Sequence, residues 1–147
     1  MNERWKALSW TLRLLCIVPL ATGTLDMVGG AWLLARSGAA LPAAAVVDPI
    51  LDSQIRFWGA MWLGYGASLV WVAAAPERRG AMLRILLGTL LLSGIARATS
   101  MVMYGSPGGV LGGAMMLELL APLALLLWYG RLSAPEKGAP STRSSGL

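Results

Sequence analysis

Four ionisable residues lie in otherwise apolar stretches of this 147-residue chain: Asp26, Arg56, Arg97 and Glu118. An unpaired ion removed from water carries a desolvation cost of several kcal/mol, so such charges are expected to pair or to serve a purpose. Two acids and two arginines could form two ion pairs of zero net charge. The chemistry open to them is limited. Asp26 and Glu118 are a carboxylate pair, one of which could stay neutral in a low dielectric and protonate an alkene or epoxide. Arg56 and Arg97 could grip a phosphate or carboxylate by paired hydrogen bonds. Residues 88–104, GTLLLSGIARATSMVMY, surround Arg97. At helical spacing Thr89, Ser93, Arg97, Ser100 and Tyr104 fall within an arc of roughly 80°. The candidate ligand-binding set is therefore Arg97, Arg56, Glu118, Asp26, Tyr104, Ser93 and Ser100, with Glu118 and Asp26 as candidate catalytic acids.

The elements that position these residues follow from composition. Apolar residues make up 56% of the chain and charged residues 13%, with seven Trp, eight Met and one Phe. A soluble domain carries about 25% charge to cover its surface. This chain lacks the polar groups for that, so lipid is expected to cover it. The net charge of +5 comes with no basic patch interleaved with aromatics, which argues against nucleic acid as a partner. Cys16 is the single cysteine and there is no histidine, which rules out an internal disulfide, a Cys/His metal site and a histidine-based triad. No metal or cofactor is implied.

Four apolar segments predict an all-α fold of four transmembrane helices, at about 12–34, 53–75, 81–103 and 110–129, each long enough to cross ~30 Å of hydrocarbon. Together they form one domain over residues 1–132, followed by a tail over 133–147 rich in Ser, Pro, Gly and Ala and expected to be disordered. The start, with Arg4, Lys6, Arg13, Trp5 and Trp10, resembles a membrane-interface flank. A cleaved signal peptide is the competing reading, opposed by the apolar run that resumes after Val28. Pro19 should kink the first helix, with Thr22, Gly23, Asp26 and Gly30 on the same side. Asp26 either belongs to that inward stripe or is solvated near the membrane surface.

Residues 36–51 read as a loop that could lie on the membrane or close over the charges. Asp52 or Ser53 is expected to cap the next helix, whose face Ser53, Arg56, Ala60, Gly64 and Ala67 offers a small-residue stripe for close packing. Arg56 either snorkels to the surface or turns toward an acid. In the fourth helix Pro122 follows Glu118 by one turn and frees a backbone carbonyl.

Basic residues in the short connections set the orientation. The amino terminus, the turn 76–84 and the tail hold nine of them, from Arg4 to Arg143, whereas the opposite side has only Arg36 outside the apolar segments. Both termini are expected to be cytoplasmic. At 1.5 Å per residue Arg56 would then lie about 5 Å below the outer edge, Arg97 about 9 Å, Asp26 about 12 Å and Glu118 about 15 Å.

Three runs recur in order: Arg56-Phe57-Trp58-Gly59 opening the second helix, Gly94-Ile95-Ala96-Arg97 in the third, and Glu118 with Pro122 in the fourth. Over residues 10–131 the chain resembles a bacterial family of small four-helix membrane proteins known only as a domain of unknown function. Trp58 stands where that family's pattern has Tyr. The resemblance implies a multi-pass protein of the bacterial inner membrane with a polar core. It implies no activity.

Three functions fit. The ion pairs could fix helix register in a scaffold that docks to a membrane enzyme or to its own copies through small-residue faces. The cluster could bind the head of a lipid or isoprenoid-like molecule. Or a buried acid, Glu118 or Asp26, could start the isomerisation or cyclisation of an isoprenoid-like substrate by protonation.

Overall fold

The computed structural model describes residues 3–39, 41–106 and 108–134; the expected tail, from residue 135 on, lies outside them. The described chain is all-helical: α1 (Glu3–Leu15), α2 (Ile17–Arg36), α3 (Ala43–Val46), α4 (Pro49–Ala73), α5 (Gly80–Tyr104) and α6 (Gly109–Ser133). α1 and α2 are one bent rod. The interruption falls at Cys16, three residues before Pro19, whose missing N–H and ring upset the preceding turn. Hydrogen bonds from Cys16 N–H to the Leu12 carbonyl and from Leu20 N–H to the Cys16 carbonyl carry the chain across it.

Three helices are long and apolar enough to cross a membrane: the rod Glu3–Arg36, Gly80–Tyr104 and Gly109–Ser133. The expectation of four spans is met for three. α4 has the length, 25 residues or roughly 37 Å, but Asp52, Ser53, Gln54 and Arg56 make its first half polar. The first helix begins at Glu3 rather than near residue 12, and the added turns bury one stripe: Leu8 and Leu12 have no exposed surface, while Arg4, Lys6, Trp10 and Arg13 stay exposed.

The helices pair as α2 on α4 and α5 on α6, while α2 makes no close approach to α5 or α6. The pairs join at one end only. There Leu8 and Leu12 of α1 meet Leu69 and Val72 of α4, Leu83 and Leu87 of α5, and Leu125 and Tyr129 of α6 in a single apolar core. Buried Ser9 donates to the Ala73 carbonyl at 2.6 Å, satisfying a carbonyl in the last turn of α4 and tying α1 to it. Towards the end that carries α3, Tyr104 and Gly109, the two pairs diverge.

Backbones cross closely where glycine removes the side chain. A Cβ on Gly23 would stand 2.6 Å from the Leu63 nitrogen, and one on Gly59 would stand 2.5 Å from the Met27 nitrogen. The α2–α4 seam thus runs through Gly59, Leu63 and Gly66, not through the expected Ala60–Gly64 face; Gly64 faces open space. Asp48, not Asp52 or Ser53, caps α4, accepting from the Ile50 and Leu51 N–H groups at 2.8 and 2.9 Å ahead of Pro49.

Candidate functional site

Glu118 is 4% exposed on an apolar helix, and its partners come from α5. Arg97 Nε donates to Glu118 Oε2 at 2.9 Å, and Ser93 Oγ donates to the same oxygen at 3.1 Å. Ser93 and Arg97 are one turn apart, so both reach α6 from one face of α5. The two helices come close because Gly94 sits against the Glu118 backbone and Leu119, where a Cβ would be about 3 Å from both. Pro122, fully buried one turn beyond, has no N–H to return to the Glu118 carbonyl.

This cluster forms one wall of a cavity of about 450 Å³ between the diverging helix pairs. Asp26 and Thr22 of α2 line the opposite wall, and Trp58, Trp62 and Tyr65 of α4 line the side. Trp62 stacks on Tyr65 with ring centroids 4.9 Å apart and donates through Nε1 to Thr22 Oγ1 at 2.9 Å. Tyr65 donates to the Leu86 carbonyl at 3.2 Å, which fixes the aromatic side against α5. The remaining lining is mainly Leu, Val and Ala. Asp26 is half-buried and makes no ion pair or hydrogen bond with any described residue, although the Arg97 charge acts on it across the cavity.

Arg56 does not join this cluster. Its Nε donates to Asp52 Oδ2 at 2.7 Å, one turn away on α4. Its Nη1 donates to the carbonyls of Met27 and Val28 at 3.0 and 2.7 Å. The reason lies in α2, which breaks at Gly30 (φ 56°, ψ −149°). A helix break strands carbonyls before it and N–H groups after it, and inside an apolar layer these need partners. Arg56 serves the carbonyls, and Asp52 Oδ1 accepts from the Ala31 N–H at 3.0 Å. Gly30 is required twice over: its backbone conformation is nearly exclusive to glycine, and a Cβ there would overlap Asp52 Oδ1.

The candidate residues therefore separate. The structure brings together Asp26, Ser93, Arg97 and Glu118 around the cavity. Arg56 belongs to the α2–α4 clasp, Ser100 is exposed, and Tyr104 is 82% exposed at the end of α5. Of the two ion pairs expected among Asp26, Arg56, Arg97 and Glu118, one forms, Arg97–Glu118; Arg56 pairs instead with Asp52, one turn away on its own helix, so Asp26 is left over. α3 lies against α2 and α4 and does not line the cavity. Sequence reading places Trp58, Trp62 and Tyr65 near the charges, as the cavity lining bears out, but it misses the clasp. The signals for the clasp were Gly29-Gly30 within an apolar helix and an acid and arginine spaced i, i+4 in Asp52 and Arg56. Among the described residues no group of three His, Cys, Asp or Glu side chains converges as a metal site would require.

Membrane-compatible helices around a mostly apolar cavity with one polar wall define an all-α protein suited to lipid surroundings. More specifically, the chain belongs to the family described as a domain of unknown function, DUF4345, whose model matches residues 7–129. No curated protein and no solved structure matches the chain.

Proposed function

We propose that this protein is a multi-pass inner-membrane protein that holds an amphipathic, lipid- or isoprenoid-like molecule in the cavity between its two helix pairs. The supporting observation is the cavity itself, within the 300–1,000 Å³ usual for ligand sites and lined by apolar side chains except where Asp26, Ser93, Arg97 and Glu118 converge. A polar head suits that wall. A tail has a route: Leu15 and Leu117 line both this cavity and an apolar groove between α1 and α6 that runs to Trp128. From Glu118 to Trp128 the rise is about 15 Å, comparable to a dodecyl chain. The basic residues Arg4, Arg13, Arg78, Arg79 and Arg131 gather at the joined end of the bundle, and the positive-inside rule assigns that end, with both termini, to the cytoplasm.

The enzymatic alternative needs a carboxylic acid free to give a proton. Glu118 is an acceptor for Arg97 and Ser93, which leaves Asp26 without a second acid beside it. Binding needs no such group.

Native mass spectrometry of the full chain released from detergent tests the proposal, with Ala114→Trp filling the cavity and Arg97→Gln and Glu118→Gln removing the polar wall. The expected result is a discrete co-purifying lipid on the wild type, absent from Ala114→Trp and depleted in the other two. A wild type without adducts, with Arg97→Gln and Glu118→Gln both melting earlier, would instead make the cluster a register-fixing pair in a scaffold.

A further inference from the structure

The charges around the cavity do not balance. Arg97 and Glu118 neutralise each other, and Arg56, the other cation in this half of the bundle's apolar region, is held by Asp52 and by two α2 carbonyls. Asp26 faces the cavity with no hydrogen bond or ion pair among the described residues, and the Arg97 charge, already committed to Glu118, reaches it only across the cavity. An anionic head would bring a further negative charge between two carboxylates with one shared guanidinium to offset them. A cation would bring the site to zero. The aromatic side points the same way, because the faces of Trp and Tyr attract an ammonium group, and Trp58, Trp62 and Tyr65 line the cavity together with Asp26.

Resting on the proposed amphiphile-binding role, we infer that the head group bound in this cavity is a primary ammonium, held by the Asp26 carboxylate against the Trp58–Trp62–Tyr65 side with its alkyl tail in the α1–α6 groove. Thr22 assists without touching the ligand. Its hydroxyl accepts from Trp62 Nε1 and donates to the Val18 carbonyl at 2.8 Å, which fixes the indole one turn from Asp26. The Arg97–Glu118 pair has a separate part: it places a neutral, hydrogen-bonded wall opposite the acid, so that the ammonium is not repelled by a free guanidinium.

The test is a titration of the full chain in maltoside micelles with dodecylammonium, dodecanol and dodecyl phosphate, bound probe being counted by native mass spectrometry. The wild type is expected to bind dodecylammonium about tenfold more tightly than the other two, the size of one charge-assisted hydrogen bond. Asp26→Asn should erase that preference, Asp26→Glu should keep most of it, and Ala114→Trp should abolish binding of all three. Preference for dodecyl phosphate, or a preference for dodecylammonium that survives Asp26→Asn, overturns the head-group assignment. Equal binding of the three probes, lost in Ala114→Trp, overturns the assignment while leaving the cavity as an amphiphile site. No binding of any probe to the wild type overturns both.

Discussion

The two arginine–carboxylate pairs, Arg56–Asp52 and Arg97–Glu118, look alike in sequence and are opposites in the structure. Arg56–Asp52 lies within one helix, and both members reach out of it to a second helix's backbone. Arg97–Glu118 joins two helices side chain to side chain and forms one wall of a cavity. The first pair repairs a fault, the broken turn at Gly30. The second builds a surface. An arginine in a membrane helix therefore carries no fixed meaning, and what decides its role is whether unsatisfied backbone lies within its reach.

This contrast can be broken most sharply at its glycine. Gly30→Ala forces a side chain into a backbone region almost closed to it, at a cost of about 3 kcal/mol. Thermal unfolding in detergent should show the largest fall of any single substitution considered, with no change in the charge of the cavity. Glu118→Leu comes next. It strips Arg97 of its partner, a change that costs 3–5 kcal/mol for fully buried pairs and here about 2 kcal/mol, because the Arg97 side chain is 42% exposed and screened. Restoring neutrality with Arg97→Met in the same chain should recover most of that loss, and the double-mutant cycle measures it.

Arg56→Lys sharpens the comparison further. A lysine cannot serve Asp52 and two carbonyls with a planar fork, so melting should fall measurably, whereas Arg97→Lys, which must replace one bond to Glu118, should melt closer to the wild type. Ser93→Ala removes one of two donors to Glu118 and should cost about 1 kcal/mol or less with bound lipid retained. Lys6→Ala, which removes the exposed Lys6–Glu3 pair, should leave stability unchanged within error and serves as the baseline.

Much of this architecture could be read from the chain. The apolar runs placed α5 and α6 within a few residues of their observed bounds, because a helix suited to lipid must be apolar along its whole length and Gly105 and Gly109 mark where one ends and the next begins. The α1 residues were harder. Leu8, Ser9 and Leu12 sit among Arg4, Lys6 and Arg13, and the flanking charges hide the buried stripe until the partner helices are known. That Ser93 and Arg97 share a face and that the buried arginine needs an acid followed from spacing and charge; which acid, Glu118 rather than Asp26, did not, because it depends on which helices pair. Arg56 did not follow, since its partners are backbone atoms at a break that periodicity assumes away. Tyr104 and Ser100 share the Arg97 face on a helical wheel but are exposed nearer the end of α5 and do not line the cavity. A wheel has no axial coordinate.

The seat of the first helix constrains how the molecule is made. Leu8 and Leu12 leave the ribosome before the surfaces that bury them, which belong to α4, α5 and α6. Until α4 is made the Ala73 carbonyl lacks its serine, and until α6 is made the α1 stripe lacks Leu125 and Tyr129 to close over it. The amino-terminal turns are thus the closing piece of assembly, and a bulky fusion at that end would be felt at the far end of the chain's synthesis rather than at its beginning.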